Sequence, residues 1–427
     1  MIRNLRKTAV LVLLATLVAF VLTAAACGSD DSDTIVLGPD DPVQVRTLIS
    51  LDAESLRAGV ELAVGHFGAV HGHEVELGPI VDSMCDPDGG RAGAERIAAE
   101  PEVLGVVGTS CSASSVTAMP VLSAAGLVMV SPAATSPVLT SDLRGNPGAD
   151  YHPGFFRVVN NDLYQAEAVA GFAYHELGLR RTAAVHDGDP YTSALARAFR
   201  SAFAARGGDV PFTGTVEKGQ TDMAGVLLGV AGAAPDSVFF PLFDDEAAHF
   251  IRQARESDGL EGVTYITADA ALTSAFLAVP ESEGVYFAAP PPHEESNFNA
   301  ATGRTVDEAL AAYAAAYPEL AQGALFWMHA YDATTLLLAA IERAAVRDDG
   351  NFFTRFLGID ERGTLRVNRS ALRGAIRAVS EDFSGLTGTL ACDEFGDCGS
   401  GVQAVYHHTD ATVTDPGELP VVYRFEP

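Results

Sequence analysis

The stretch "VLGVVGTSCSASSVTAMPVLSAAGLVMVSPAATSP", residues 103–137, decides how the chain folds. Six small or branched apolar residues end at Gly108, a burst of hydroxyls with one cysteine follows, and a second apolar run closes at Ser131-Pro132. A short apolar strand, a helix ended by glycine and a second strand is the unit of a parallel sheet covered by helices. The same alternation runs outward in both directions. "VQVRTLI" (43–49) reads as a strand, followed by a helix from Asp52 as N-cap, a strand in "HEVELGPIVDS" and a helix in "GGRAGAERIAAE". Downstream, "TAAVHD", "SVFFPLF", "VTYITAD" and "GVYFAAPPP" are strands separated by "YTSALARAFRSAFAARGG", "EAAHFIRQARESDG" and "LTSAFLAV". The fold class is α/β, and the length calls for two lobes, in tandem or interleaved.

The first residues set the compartment. Arg3, Arg6 and Lys7 precede an apolar run from Ala9 to Leu22, and small residues lead to Cys27. This is the pattern of a secretory signal over residues 1–26. Ala24-Ala25-Ala26-Cys27 resembles a bacterial lipobox, which implies Cys27 as a lipidated first residue. Residues 27–42, acidic and rich in Gly and Pro, read as a tether. Removing residues 1–26 takes three basic and no acidic residues, so the charge goes from −29 to −32. A surface of that sign argues against nucleic acid and against direct adsorption to anionic lipid, leaving the lipid as the only membrane contact. Lys7 and Lys218 are the only lysines.

Four cysteines remain after Cys27. They allow three pairings, of which the simplest is local, Cys85–Cys111 and Cys392–Cys398, the second closing a hairpin at Phe395-Gly396. An oxidising compartment favours bridges over zinc. "HGHE" (71–74) and His407-His408 read as solvated histidines, with no metal and no cofactor implied.

In open parallel sheets ligands bind beyond the carboxyl ends of strands, and five such ends carry polar or aromatic candidates. Ser110, Ser112, Ser114 and Ser115 sit where a helix start offers free N–H groups to a carboxylate or phosphate. Thr135 can donate a hydroxyl, with Ala133 and Ala134 keeping the wall thin. Asp189-Pro190 suits a helix start that aims Tyr191 outward. Asp269 is a carboxylate placed to meet an ammonium, and Phe243 is an apolar lid. Each also has an ordinary structural role open to it, as helix cap, turn or core.

The runs "DSMCDP…GVVGTSCSASSVTAMPVLSAAGLVMVSPAATSPVLT", "FRVVNNDLYQAEAVAGFA", "VHDGDPYTSALA" and "IRQARESDGL" resemble the branched-chain amino-acid-binding family of ABC-importer substrate-binding proteins. The tail "TGTLACDEFGDCGSGVQAVYHH" resembles that family's ending. The resemblance implies a type I periplasmic-binding-protein fold, with two Rossmann-like lobes, three interlobe crossovers and a cleft that closes on ligand. It places contacts for an amino acid's carboxylate and ammonium on Ser112, Ala133, Thr135, Tyr191 and Asp269, a first bridge on Cys85–Cys111, and an aromatic wall on Phe243 and Trp327. The lobes would then be 43–158 plus 289–400 and 159–288 plus 401–427. An ABC permease is the implied partner, the outer face of the cytoplasmic membrane the location, and monomer the expected state.

Two departures stand out. "TLISLDAESLRAG" is shorter than the family's glycine-rich loop after the first strand, so that wall is missing or supplied elsewhere. Aspartate at 269 replaces the family's usual glutamate. An enzyme is the rival reading, but no G-x-S-x-G, P-loop or H-E-x-x-H is present, and His186 is the one candidate base for a serine in "TSCS". Other rivals keep the fold and change the cargo to an amide, urea or an aromatic acid, or couple a ligand-sensing lipoprotein to a receptor.

Overall fold

Two seven-stranded sheets organise the chain in a computed structural model that describes residues 33–320, 324–348 and 363–427. The signal segment and Cys27 lie outside the described residues. Among the described residues, no helix is long and apolar enough to cross a membrane.

The first sheet runs in the order Ala69–Val70, His73–Glu76, Val43–Ile49, Val103–Gly108, Met129–Ser131, Phe155–Arg157, with Val81–Asp82 beside the end of Val43–Ile49. Every pairing is parallel except the first. The second runs Thr213–Thr215, Thr182–His186, Ser237–Phe239, Thr264–Ala268, Tyr286–Ala289, Gln403–His407, Val421–Phe425. Its first five strands are parallel and its last two pairings antiparallel, so Gln403–His407 alone runs against the rest. The α/β class of two Rossmann-like lobes is therefore the observed one, with an antiparallel edge that the alternation of strand and helix does not announce.

The chain passes between the sheets three times: after Arg157, after Ala289 and before Gln403. Between the second and third passes, helix Trp327–Ala344 packs on Glu54–Phe67 and on the first sheet. Its Leu336, Leu337 and Ile341 join Val45, Val107 and Val130 in one buried cluster. A second cluster, around Val238, Phe240, Phe250 and Phe287, fills the other lobe. Strands buried on both faces explain why their sequences read as unbroken apolar runs.

Some expectations need correction. The segment read as tether contains a strand, Thr34–Leu37, paired antiparallel with Thr364–Asn368. Leu37 is 5% exposed, and burying it rewards ordering a segment whose composition reads as linker. "HEVELGPIVDS" is two short strands, His73–Glu76 and Val81–Asp82. Helix Glu54–Phe67 starts after Ala53 without a side-chain cap, so Asp52 is no N-cap. The histidines of "HGHE" are bound to backbone: His73 sits between the carbonyls of Asp41 and Gly363 at 2.8 and 2.9 Å, and His71 reaches that of Glu342 at 3.0 Å. His408 is buried against Ser282, and His407 stacks on Tyr286. Both expected bridges, Cys85–Cys111 and Cys392–Cys398, are present.

Candidate functional site

Between the carboxyl ends of the two sheets lies a cleft of about 570 Å³. Gly108 prepares its first wall. Its φ is +149°, and a Cβ there would stand 2.1 Å from the Leu48 carbonyl oxygen, so only glycine lets the strand turn this close to its neighbour. Helix Ser112–Ala124 then begins with Cys111 at its N-cap and no side chain bonded there. The serine-cap role is thus not taken up, and the first-turn N–H groups are left for a guest. Gly90, whose Cβ would meet the Ser114 carbonyl oxygen at 2.3 Å, lets helix Pro87–Ala98 lie hard against this one. The Cys85–Cys111 bridge ties the two starts together.

Ser110, Ser112, Ala133 and Thr135 all line the cleft from this side. Ser110 Oγ accepts the Ser50 N–H at 3.0 Å, and Ser112 Oγ accepts the Ser136 N–H at 3.2 Å. Three of the sequence candidates turn away. Ser114 donates to the Cys111 carbonyl and Ser115 bonds Thr109, both buried. Ala134 is fully buried in the core, and its N–H donates to Ser131 Oγ, so it thins no wall.

The loop that carries Thr135 is fastened from behind by Arg157. This residue has no exposed surface; its Nη1 donates to the carbonyls of Ala134 and Ser136 at 3.1 and 2.8 Å, and its Nη2 to Thr140 Oγ1 at 2.6 Å. Its Nε pairs with Asp397 at 2.5 Å. Asp397 lies in the loop closed by Cys392–Cys398, whose Gly396 carbonyl accepts the Arg157 N–H at 2.9 Å.

The opposite wall comes from the second sheet. Asp189 caps helix Pro190–Ala205 by accepting the Tyr191 N–H at 2.8 Å, with Pro190 in the first turn as expected. Burial pushes the Asp189 carboxyl up to about 6. Tyr191 donates its hydroxyl to Asp269 Oδ1 at 2.5 Å, and Asp269 also accepts the Ala270 N–H at 3.1 Å. Burial raises the Asp269 carboxyl, opposed by the hydrogen bonds from Tyr191, Gln165 and Ala270. Burial and the neighbouring Asp269 charge drive Tyr191 far up, so its hydroxyl remains a donor. Phe243 covers the pair, with its ring 5.7 Å from that of Tyr191.

Trp327 is not a wall. It is 1% exposed and stacks on Tyr313 at 4.2 Å. The preceding Leu325 and Phe326 face the cleft instead, because Phe326 takes a left-handed turn (φ +70°) just before the helix. They line the cleft together with Ser50, Asp52 and Ala53 from the loop after Ile49. Sequence reading also missed Lys218, the second lobe's lone lysine: its Nζ donates to the Cys85 carbonyl at 3.1 Å, across the cleft. Ser136 Oγ bonds the Pro190 carbonyl at 2.8 Å, a second tie between the lobes. Asp52, Asp244, Asp245 and Glu246 complete a lining in which carboxylates outnumber the single ammonium. His186, the sole candidate base, accepts the Gly188 N–H and lines no part of the cleft. Among the described residues, no group of three or more metal-ligating side chains occurs.

The arrangement sets free N–H groups and hydroxyls on one wall against a hydrogen-bonded carboxylate on the other. The chain matches the periplasmic binding protein family over residues 47–403. An amino acid binding protein from Pseudomonas aeruginosa is 27% identical over 189 residues, 44% of this chain and about half, 48%, of that relative. A leucine-, isoleucine-, valine-, threonine- and alanine-binding protein from the same organism is 26% identical over 409 residues, 93% of this chain and 96% of the relative. The solved structure of a leucine binding protein from Thermotoga maritima covers 90% of this chain and 99% of its own, with a TM-score of 0.73 at 23% identity.

Proposed function

Because the chain belongs to the periplasmic binding protein family, whose members bind substrates for transport outside the cytoplasm, we propose that it carries a small α-amino acid of the branched-chain type between its lobes and delivers it to an ABC importer. The ligand's carboxylate is met by Ser112, Thr135 and the start of helix Ser112–Ala124, its ammonium by Asp269, with Tyr191 holding that carboxylate in place. Pairing each charge as water leaves is what makes burial of a zwitterion affordable. Ser112 and Thr135 lie in the lobe of residues 43–158 plus 289–400, Tyr191 and Asp269 in that of 159–288 plus 401–427. A ligand that touches both favours the closed state. The importer reads that closure, and a lipid on Cys27 keeps the monomeric protein beside it.

The opposed walls, donors on one and the Tyr191–Asp269 pair on the other, are the observation that carries this reading. No nucleophile–base pair lines the cleft among the described residues, which favours carrying over cutting. A thermal-shift screen of the chain from residue 28, against amino acids, amides, urea and aromatic acids, tests it. A ligand that binds only the folded state at one hundred times its Kd adds about 2.7 kcal/mol. A shift with an α-amino acid, lost in Asp269→Ala, is expected. A shift only with an amide, urea or an acid lacking the amine would replace the cargo and leave the fold's role intact.

A further inference from the structure

A further cavity, of about 20 Å³, lies where the chain crosses between the lobes, with room for a single water or ion. Asn160 lines it from the first crossing, Pro290 and His293 from the second and Ser400 from the third, and His329 and Thr387 close it. Every crossing that bends when the lobes move therefore touches one small space. Asn160 is spent on fastening the crossings together: its Nδ2 donates to the Val402 carbonyl at 2.7 Å and its Oδ1 accepts the Gly401 N–H at 2.8 Å. The two imidazoles are not spent. His329 is 5% exposed, its Nδ1 is buried without a partner, and neither ring hydrogen-bonds to protein among the described residues. A buried ring nitrogen left so is costly unless a guest supplies its partner.

The pair has the spacing and the chemistry to share one ion. Its ring centres stand 6.3 Å apart. Two imidazoles on one metal stand roughly 4.5–6.4 Å apart, given metal–nitrogen bonds of about 2.0–2.1 Å. The observed spacing is the open end of that range, and His293, which keeps part of its surface toward solvent, can turn to shorten it. Burial holds His293 down to about 4 and His329 to about 3, so both rings carry the free lone pair that binds metal. The charge a cation brings is offset nearby. Asp332, one turn along the helix from His329, accepts from the N–H and the hydroxyl of Thr387 at 2.8 and 2.7 Å. Its other donors, the Leu386 N–H and Asn299 Nδ2, are neutral as well. Thr387 thus stands between the cavity and a buried carboxylate.

We propose that His293 and His329 form a transition-metal site in the hinge, for a divalent ion of the copper, nickel or zinc class with water in its remaining positions, and that filling it favours the lobe setting seen here. His329 links the site to the cleft, since its ring meets that of Phe326, a cleft residue, at 5.4 Å. In this setting Lys218 and Ser136 already bond across the cleft. An ion that holds it tightens amino-acid binding, and the amino acid tightens the ion by the same factor. That consequence rests on the amino-acid reading above; the site itself does not.

Trp327 reads the site directly. It is the only tryptophan, is 1% exposed, and stands two residues before His329, so an ion free in solution does not reach it. The chain from residue 28, without a histidine tag, is titrated with CuCl2, NiCl2 and ZnCl2 while its emission is followed. One equivalent of Cu²⁺ should quench the tryptophan, and Cu²⁺ should bind more tightly than Ni²⁺. Closed-shell Zn²⁺ should leave the emission bright yet raise the Cu²⁺ needed. Quenching should vanish in His293→Gln and persist in His407→Gln, with His329→Gln giving the same reading where His293→Gln fails to fold. Calorimetry with L-leucine should show the Kd falling about fivefold or more when Zn²⁺ fills the site, and no change in His293→Gln. Emission that ignores a few equivalents of Cu²⁺ overturns the site and leaves the cavity to water. Quenching that survives in both histidine variants overturns it too, by placing the ion elsewhere. An unchanged leucine Kd overturns the coupling alone, whereas absence of binding by any α-amino acid removes the proposed cargo and leaves the metal site standing.

Discussion

Arg157→Met is the perturbation that most directly tests how the first wall is built. The guanidinium is fully buried and makes four bonds, to Asp397, the carbonyls of Ala134 and Ser136, and the Thr140 hydroxyl. Methionine keeps much of the volume and none of the donors. Breaking a buried pair by removing one partner costs about 3–5 kcal/mol, because the surviving charge is left unpaired. Asp397 would retain only Asn161 Nδ2 at 3.1 Å and a long contact from Ser141 as side-chain donors. Urea denaturation followed by the fluorescence of Trp327, the only tryptophan and a core residue of the same lobe, reads the loss. Adding Asp397→Leu should recover part of it, since replacing a buried pair by apolar groups is often neutral. Affinity should also weaken in the single variant, because Thr135 lies between the two carbonyls that Arg157 holds. A single-variant cost below about 1 kcal/mol, or a double variant as unstable as the sum of its parts, would refute the argument.

Tyr191→Phe removes a hydrogen bond to a buried carboxylate, worth about 1.5–3 kcal/mol, so calorimetry should show amino-acid affinity falling roughly 10- to 150-fold with the circular dichroism unchanged. The bridges differ in the loops they close, with separations of 26 and 6 residues. On loop entropy alone, Cys85→Ala/Cys111→Ala should destabilise by about 1.3 kcal/mol more than Cys392→Ala/Cys398→Ala in matched denaturant titrations, and equal costs would contradict this. Burial holds His329 down to about 3 and the adjacent His293 to about 4. Both stay neutral in the folded chain and charge in the unfolded one as pH falls below 6.5. Their contribution is therefore complete above pH 6.5 and is lost on acidification, at a slope of at most about 1.4 kcal/mol per pH unit for each. His329→Gln should flatten the profile between pH 6.5 and 4.

Strands buried on both faces made the sheets legible, because each one is a local run of apolar residues closed by small or polar ones. The strand-end rule then found most of the cleft: Ser110, Ser112, Ala133, Thr135, Tyr191, Phe243 and Asp269 all line it. What escaped depends on partners far along the chain. Arg157 meets Asp397 across 240 positions and Lys218 meets Cys85 across 133, and no local pattern carries either contact. Thr34–Leu37 is a strand only because residues 364–368 offer it an edge. The wall expected of Trp327 falls to Phe326, and of the two alanines expected there only Ala133 lines the cleft. A left-handed turn at Phe326 and the bond from the Ala134 N–H to Ser131 decide which neighbour faces the cleft, and neither leaves a trace in composition.

Lys218 gives this protein a practical handle. It is solvent-exposed on the cleft lining, and once residues 1–26 are gone no other side-chain amine remains. An amine-reactive dye would find it and the chain's own α-amino group alone, and the two differ enough in basicity to be addressed separately. A fluorophore coupled there would straddle the gap between the lobes, with the rim around Cys85 opposite. Its emission would report occupancy in real time, which makes the scarcity of lysine a route to a reagentless biosensor.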